Sequence, residues 1–434
     1  MEIEAAGAPA GRSRLGVTVK PITAILAAGL VIRLLVAAVP GVGADLDTFR
    51  GWSLQLADDG PWNFYSSDFF ADYSPGYLYI LWLFGLLNNV FSFSSDQFHY
   101  LLKLPAIVAD LASAYLLYRM LVGQKPVVQL GTPILYLLLP TVLFIGPVWG
   151  QVDSILAFFL LLAVYYLAQG RPVWASVAYV VGFLIKPQAI AALPLLAFWL
   201  LRNNPARVWV KALSASIAAG LFIILPFFPR NPLRIFEQLS NAAELYPVNS
   251  SFAYNFWGMF GLFKPDDATF WGIEWRQWGI GLFAAAILAI IFVFRDAKNP
   301  GLVALATALS ILAFYVFLTR MHERYLFPVF LPLLAACALT HSRILWASFF
   351  GLTVVQFLSL YYVYYYPIYN PDLEPSFLWV DVVSAMTEYH PSWWGFPSSP
   401  AVFLSSLFMV LTFPVILVTG HLLSSRVAAK PPPS

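Results

Sequence analysis

The chain is poor in charge and in cysteine, and both shortages narrow its class. Only 11% of its 434 residues are charged, whereas 60% are hydrophobic, and the mean hydropathy is +0.75. A soluble domain carries about a quarter charged residues. The single cysteine, Cys337, excludes an internal disulfide framework and any multi-cysteine metal site. The composition therefore predicts an integral membrane protein.

Basic clusters and internal repeats are also lacking. The net charge is +2, and no run of Lys or Arg indicates a nucleic-acid partner. Apolar runs of near-helical length favour a helical bundle over a β-barrel, whose strands would give shorter, alternating segments. We predict an all-α, polytopic bundle of about twelve transmembrane helices that forms one membrane domain over residues 1–434.

The first predicted span runs from about Val17 to Val39 and follows three basic residues, Arg12, Arg14 and Lys20. Its apolar run is long for a signal peptide, so we predict a retained transmembrane helix. The positive-inside rule then places the N-terminus in the cytoplasm and the next loop outside. The remaining spans are predicted at His99–Met120, Gln129–Pro147, Ser154–Ala168, Val173–Ile185, Ala189–Leu201, Val208–Phe228, Gly279–Phe294, Leu302–Leu318, Tyr325–Leu339, Ile344–Tyr364 and Val402–Leu422.

The apolar run Gly76–Phe93 decides the orientation of all later loops. If it spans the membrane, Arg119 and Lys125 fall outside. If it is an interfacial helix within the first outer loop, both fall inside, together with the basic residues of the later inner loops. Because all these basic residues then fall on the cytoplasmic side, we predict that Gly76–Phe93 is an interfacial helix. Both termini are then cytoplasmic, and residues 426–434 form an inner tail. The predicted outer loops then cover residues 41–98, 229–278 and 365–400.

The stretch Gly41–Tyr79 concentrates acidic and aromatic residues. Rings at this density favour a water–lipid interface, where one edge stays wet. We therefore predict an ordered outer loop that lies on the membrane surface and contains interfacial helices. Its acidic residues are Asp45, Asp47, Asp58, Asp59, Asp68 and Asp72.

Asp45 and Asp47 directly follow the first predicted span. A carboxylate held there, where the aromatic loop excludes water, suits a general base. An isolated aspartate is more often a solvated loop residue or a helix N-cap. Here the spacing Asp45-x-x-x-x-Arg50-x-Trp52 makes a patterned group, although position alone does not choose between the two aspartates.

Further polar residues are predicted at the outer ends of helices. Asp72 and Tyr73 begin the interfacial helix, where they either shape a site or simply form a turn. Lys186 lies between apolar segments with no acidic neighbour in sequence. A buried cation needs an anion, so contact with a ligand phosphate competes with snorkelling to the interface. The other candidates that shape the site are Trp149, Gln151, Asp153 and Gln188.

The densest charge cluster of the second half contains Arg320, His322, Glu323 and Arg324. Arginine forks bind phosphate oxygens bidentately, and histidine adds a donor. Contact with a phosphate therefore competes with an interfacial cluster of salt bridges. A second histidine four residues on is lacking, which excludes a zinc-protease motif.

Charged residues also occur within the predicted spans. Arg33, Lys103 and Asp110 should face the bundle interior, because intramembrane ions are expensive. Lys103 and Asp110 share a helix face, and structural pairing is favoured for Asp110, whereas Arg33 is a candidate contact for a buried phosphate. Asn255 and Trp257 form an amide–aromatic patch that suits sugars or packs its own loop.

Five short sequence elements, which follow one another along the chain, resemble motifs of the GT-C fold glycosyltransferases. The chain resembles most the dolichyl-phosphate-glucose-dependent glucosyltransferases of N-glycan assembly and their prokaryotic relatives, from the first span to about Leu339. Ser74 stands where that family has proline, and Pro187 follows Lys186, so the donor sugar and the acceptor stay open. The five elements are the D-x-x-x-x-R-x-W group from Asp45, Asp72-Tyr-Ser-Pro75, Trp149–Asp153, Lys186–Gln188 and His322–Arg324.

The resemblance implies an inverting enzyme that moves one sugar, glucose or mannose, from a polyprenyl- or dolichyl-phosphate donor to a glycan, lipid or protein acceptor outside the cytoplasm. It implies that Asp45 is the base and that His322, Arg324 and Lys186 lie near the donor phosphate. Because a phosphate leaves without a general acid and cations neutralise its charge, no cofactor is required, although an Asp–Asp pair is compatible with a divalent metal.

Two rival classes remain at this stage. A transporter or flippase for lipid-linked sugars would show internal repeats and polar sites at the bilayer midplane, and neither is visible. A membrane glycan ligase or polymerase would need a larger outer groove, which the 229–278 loop could supply. We expect a plasma (inner) membrane location, or the endoplasmic reticulum in a eukaryote.

Overall fold

Helices dominate the computed structural model, which describes residues 20–65, 70–366 and 398–428. Several predicted features fall outside these residues: the basic start with Arg12 and Arg14, Asp68, most of the 365–400 loop, and Lys430 in the tail. Every one of the predicted spans coincides with a helix or with consecutive helices, and the all-α class is confirmed.

The first half of the chain is a series of helices joined by short turns. Proline opens several of them, because its fixed φ suits the first helical position and its missing N–H is not needed there. The helices are α1 (Pro21–Val36), α2 (Gly43–Asp59), α3 (Pro75–Phe91), α4 (Ser95–Met120), α5 (Pro126–Leu138), α6 (Pro140–Leu143), α7 (Asp153–Ala168), α8 (Pro172–Ile185), α9 (Leu193–Asn203) and α10 (Ala206–Ile224).

The second half adds helices and very short strands. The helices are α11 (Arg234–Glu244), α12 (Trp275–Phe294), α13 (Pro300–Phe317), α14 (Phe330–Thr340), α15 (Arg343–Tyr364) and α16 (Pro400–Ala428). The strands are β1 (Ser250–Ser251), β2 (Thr269–Phe270), β3 (Ile273–Glu274) and β4 (Met321–His322). β2 and β3 form an antiparallel hairpin, and β1 pairs with β4 in parallel.

Many of the described helices are apolar enough to cross a membrane. Seven satisfy both length and hydropathy, or eight if the bent pair Pro126–Leu138 and Pro140–Trp149 counts as one span. Shorter apolar helices are α1, α3, α7 and α8. α13 lies at the centre of the bundle, where nearly all of its side chains are buried. The count of twelve spans and the interfacial position of α3 stay predictions.

The segment predicted as the first outer loop folds as a helical hairpin of α2 and α3. The two helices approach so closely that a Cβ on Gly85 would lie 1.9 Å from the carbonyl oxygen of Ser53. Phe49, Trp52 and Leu56 of α2 are buried in a hydrophobic cluster that includes residues of α3 and α4. This loop is therefore an ordered, packed layer rather than a linker.

Two breaks in helical winding lie near the candidate site residues Trp149 and Lys186. A π-helical turn, Phe144–Trp149, follows α6, and a 3₁₀ turn, Pro187–Ala192, interrupts the predicted helix pair after Lys186. Such irregular turns are frequent at functional sites because they redirect side chains.

Candidate active site

The backbone around Asp45 is clamped to the π-helical turn. The N–H of Val42 donates to the carbonyl oxygen of Trp149 at 3.1 Å. A Cβ on Gly41 would lie 2.9 Å from that same oxygen, so glycine permits the close approach. Asp45 lies in the first turn of α2, directly after this contact.

The side chain of Asp45 is held by one of its two oxygens. Its Oδ2 accepts from Trp149 Nε1 at 2.7 Å and from Gln151 Nε2 at 2.5 Å. Gln151 in turn accepts at Oε1 from the Tyr73 hydroxyl at 3.0 Å. Among the described residues, no hydrogen bond reaches Asp45 Oδ1, so this oxygen is available to a ligand.

Asp47 occupies a different environment. Its side chain is 67% exposed, and Oδ1 lies 3.0 Å from His99 Nε2 at the surface. Asp45 is half-buried against Trp149, which is fully buried. Of the two candidates, only Asp45 faces the other predicted site residues.

Lys186 is buried and has a protein anion beside it. Its Nζ lies 2.8 Å from Asp153 Oδ2, although the two residues are 33 positions apart. Burial lowers the pKa of Lys186, and the Asp153 carboxylate opposes that shift. Asp153 Oδ1 is buried, and none of the described residues bonds to it. The sequence correctly indicated that Lys186 needs an anion, but it did not identify Asp153.

The segment His322–Arg324 lies next to Lys186. β1 pairs with β4 and so fixes His322, while Arg324 Nη1 lies 2.8 Å from Glu323 Oε1. Gln356 of α15 donates to the Glu323 carbonyl oxygen at 2.9 Å. The Tyr325 ring lies between both cations, with Lys186 Nζ 5.7 Å and Arg324 Cζ 5.9 Å from its centre.

Two buried nitrogen atoms of this cluster have no partner among the described residues. His322 Nδ1 and Arg324 Nε are buried and make no hydrogen bond within the described part of the chain. Burial, with Arg324 and Lys186 nearby, holds the pKa of His322 well below its usual range. Groups of this kind are ready to bind a ligand that supplies acceptor oxygens.

Asp72 and Tyr73 close the cluster from the outer hairpin. The Tyr73 ring lies 5.9 Å from Lys186 Nζ. Burial raises the pKa of Asp72, Arg324 and Lys186 oppose the shift, and the charge of Asp45 adds to it. These interactions place Asp72 in the same electrostatic field as the other site residues.

Some predicted contributors support the site from a neighbouring layer. Trp52 is buried and donates through Nε1 to the Phe70 carbonyl oxygen at 2.9 Å. Arg50 is half-buried, and its Nε has no partner. Gln188 lies beside the Tyr325 hydroxyl.

The structure places four other predicted residues away from this cluster. Arg320 Nε lies 2.7 Å from Asp266 Oδ2, and its Nη1 lies 2.9 Å from Glu244 Oε2. Arg33 pairs inside the bundle with Asp110. Thus Asp110 pairs with Arg33 rather than with its helix neighbour Lys103, which donates to carbonyl oxygens at the end of α1.

The predicted sugar-binding patch is occupied by its own loop. Asn255 donates to the Leu318 carbonyl oxygen at 3.1 Å, and Trp257 Nε1 donates to Phe317 at 2.7 Å. Trp257 also stacks on Trp275. Within the described ranges, no group of three or more His, Cys, Asp or Glu side chains is arranged to hold a metal ion.

Sequence reasoning gave no role to two aromatic residues of the site. Tyr325 contacts both cations, and Tyr246 packs on the His322 ring with centroids 4.9 Å apart. The position of Tyr325 directly after His322–Arg324 was a usable signal, whereas Tyr246 lies in a loop 76 residues earlier.

The sequence family and the fold together identify a membrane glycosyltransferase of the GT-C type. Residues 70–319, more than half of the chain, match the sequence model of glycosyltransferase family 87. The chain belongs to that family, and the predicted GT-C resemblance is confirmed. No curated protein sequence matches the chain.

Solved structures share the fold at low sequence identity. Two crystal structures of ArnT from Cupriavidus metallidurans, one in the apo state and one bound to undecaprenyl phosphate, are each 16% identical to this chain. The matches cover 94% of this chain and 78% of ArnT, with TM-scores of 0.51 and 0.50. At this identity the similarity establishes the fold alone.

Proposed function

We propose that this enzyme transfers a single sugar, glucose or mannose, from a polyprenyl- or dolichyl-phosphate donor to a hydroxyl acceptor, with inversion. Membership of glycosyltransferase family 87 supports sugar transfer. The fold shared with ArnT, which was crystallised with undecaprenyl phosphate, supports a lipid-phosphate donor. The single observation that carries the proposal is the Asp45 carboxylate, which is held by one oxygen and lies near enough to Lys186 and Arg324 for its charge to raise the pKa of both.

Asp45 is the general base of this mechanism. Trp149 and Gln151 fix its Oδ2, and Oδ1 accepts the proton of the acceptor hydroxyl. The acceptor oxygen attacks C1 of the donor sugar from the face opposite the phosphate. The new C1–O bond forms as the C1–O bond to the phosphate breaks, so the configuration inverts.

Lys186, His322 and Arg324 stabilise the departing phosphate. The electron pair of the broken bond moves to a phosphate oxygen, and these donors stabilise the charge that develops there. Arg324 Nε and His322 Nδ1 are free of protein partners, and Lys186 uses only one of its protons on Asp153. A neutral His322 donates one hydrogen bond, which requires no extra charge.

Asp153 and Glu323 keep the two cations in position when no donor is bound. Each carboxylate pairs with its cation at 2.8 Å, so neither cation is buried alone. The arrangement needs no metal for charge neutralisation. Asp72, Tyr73, Gln188, Arg50 and Trp52 shape the walls of the site in this proposal.

Arg320, Arg33, Asn255 and Trp257 stabilise the fold instead, since their polar groups contact protein partners. The site lies on the extracytoplasmic face of the membrane, and both termini are cytoplasmic. The acceptor is a glycan, a lipid or a protein.

The deciding experiment measures transfer by the full chain in nanodiscs. Short-chain polyprenyl-phosphate glucose and mannose carry the radiolabel, and wild type is compared with Asp45→Asn and Asp47→Asn. We expect release of polyprenyl phosphate from at least one donor, loss with Asp45→Asn, and near-normal release with Asp47→Asn. Binding of both donors without release would overturn the proposal and favour transport.

A further inference from the structure

A groove on the outer loops lies beside the proposed transfer site. Three adjoining cavities of about 340, 360 and 430 Å³ are all lined by Tyr65. They run between the 3₁₀ turn Pro61–Asn63 and helix α11. We call them together the outer groove. Each volume falls within the roughly 300–1,000 Å³ of ligand clefts.

Fixed aromatic rings form one wall of the outer groove. Trp62 is 59% exposed, yet its ring packs against Gly60, where a Cβ would lie 2.6 Å from it. Gly60 has a φ of 74°, so a side chain there would be both strained and obstructed. Tyr65 stacks on Phe228 with centroids 4.8 Å apart. These rings are held in place before any ligand binds.

Amide side chains form the opposite wall. Helix α11 presents Gln238 and Asn241 to the outer groove, and Ile235 of the same helix is buried. The helix also carries Arg234 and Glu237, which pair at 3.6 Å, so their charges cancel. Asn63 and Asn231 add two amides near Trp62.

This combination of groups fits a carbohydrate. Rigid rings offer flat apolar faces to sugar rings, and amides both donate to and accept from hydroxyl groups. A phosphate would require an excess of positive charge, whereas the three cavities together set Arg230 and Arg234 against Asp59 and Glu237. An amphipathic peptide helix would require a broader apolar surface.

We infer that the outer groove binds an oligosaccharide portion of the acceptor, away from the sugar that is glycosylated. The inference rests on the proposed function and narrows the acceptor to one that carries several sugar units.

A continuous set of contacts connects the outer groove to Asp45. The Tyr65 hydroxyl donates to the Tyr73 carbonyl oxygen at 2.6 Å, and the Tyr73 hydroxyl donates to Gln151, which holds Asp45. Gln238 of α11 donates to the Ala71 carbonyl oxygen, directly before Asp72. The groove and the transfer site therefore share the segment 71–73 as a wall.

The test measures binding of free oligosaccharides of glucose, mannose, galactose and N-acetylglucosamine, one to five units long, to the full chain in nanodiscs. At least one series should bind more tightly with length, and Trp62→Ala should weaken it roughly tenfold, the value of one well-placed ring contact. Asn241→Ala should weaken binding less. Trp271→Ala is the matched control, because Trp271 is 82% exposed on the β2–β3 hairpin, outside the groove.

A second arm uses the best oligosaccharide on a short lipid anchor, which separates a free glycan from a glycolipid. Sensitivity to Trp62→Ala in either arm, without sensitivity to Trp271→Ala, supports the inference. Equal losses in the two variants, or binding that depends on the anchor and ignores Trp62, would overturn it. If binding depends on Trp62 but no donor releases polyprenyl phosphate, the proposed function fails while the groove assignment holds.

Discussion

Asp45 and Asp110 each accept two hydrogen bonds from neighbouring side chains, but they distribute them differently. Asp110 is fully buried, with Arg33 on Oδ2 and Tyr136 on Oδ1, both at 3.0 Å. Asp45 receives both of its bonds on Oδ2 and keeps Oδ1 free of described partners. A carboxylate with both oxygens engaged and a buried cation beside it has a structural role, because the loss of either partner leaves the other charge buried alone. A carboxylate anchored by one oxygen retains the other for chemistry.

The largest expected effect comes from making the same substitution at both aspartates. Asp45→Asn should lower kcat by roughly 10²–10⁴-fold, the typical contribution of a general base, with little change in thermal stability. Asp110→Asn should instead destabilise the protein by about 3–5 kcal/mol, because Arg33 loses its buried counterion. Transfer rates and thermal unfolding of the two purified variants check this. Loss of turnover in folded Asp110→Asn would remove the distinction.

A second prediction sharpens the comparison at Lys186, which has both a structural partner and a proposed ligand. Lys186→Met should lower kcat by about 10²-fold, because a donor to the leaving phosphate is removed. It should also destabilise the fold, since Asp153 is then buried without a cation. The double variant Lys186→Met/Asp153→Asn should recover stability but not transfer. Recovery of both would make the pair purely structural.

A third prediction moves the Asp45 carboxylate without altering it. Gly85→Ala places a methyl group where the Ser53 carbonyl oxygen now lies, so α2 must shift away from α3. We expect about 1–3 kcal/mol of destabilisation, typical of overpacking, and reduced transfer, since α2 carries Asp45. Gly51→Ala is the control, because a Cβ there meets nothing within 4 Å. Equal behaviour of the two variants would contradict the close packing.

The smallest effect concerns pH. Burial depresses the pKa of His322 in the folded protein, whereas in the unfolded chain it titrates near its ordinary value of about 6.5. The unfolded state therefore binds the proton first, so stability is full above pH 6.5 and falls below it, by at most about 1.4 kcal/mol per pH unit. His322→Gln should flatten this dependence in thermal scans between pH 5 and 8. An unchanged slope would assign the dependence to another group.

Much of the fold was predictable, because apolar runs of helical length carry most of the information about where helices form. The helix α2 was not predicted individually, since its sequence mixes Asp, Arg and Gln with buried Phe49 and Trp52. Which face of α2 is buried is known only from its packing against α3.

Several residues of the candidate cluster were singled out from the sequence, but their pairings were not. Lys186 and Asp153 were both placed at outer helix ends, yet sequence offers no way to measure the distance between them. Arg320 and Arg324 looked equivalent as phosphate ligands. Arg320 has a φ of 62°, a left-handed conformation, and its side chain reaches Asp266, whereas Arg324 joins the cluster around Lys186. The sequence patterns do not indicate that one particular arginine adopts a left-handed backbone conformation.

The π-helical turn at Phe144–Trp149 makes the length of this segment matter as much as its composition. A π turn accommodates one residue more than the α-helical turn it replaces. Deleting a single residue there, such as Val148, would leave the turn one residue short, and Trp149 would take the position of Val148, about 100° away around the helix axis. The Trp149 indole and the Gln151 amide would then point away from Asp45 although every side chain named in the mechanism was still present. In this segment the number of residues is itself a functional property.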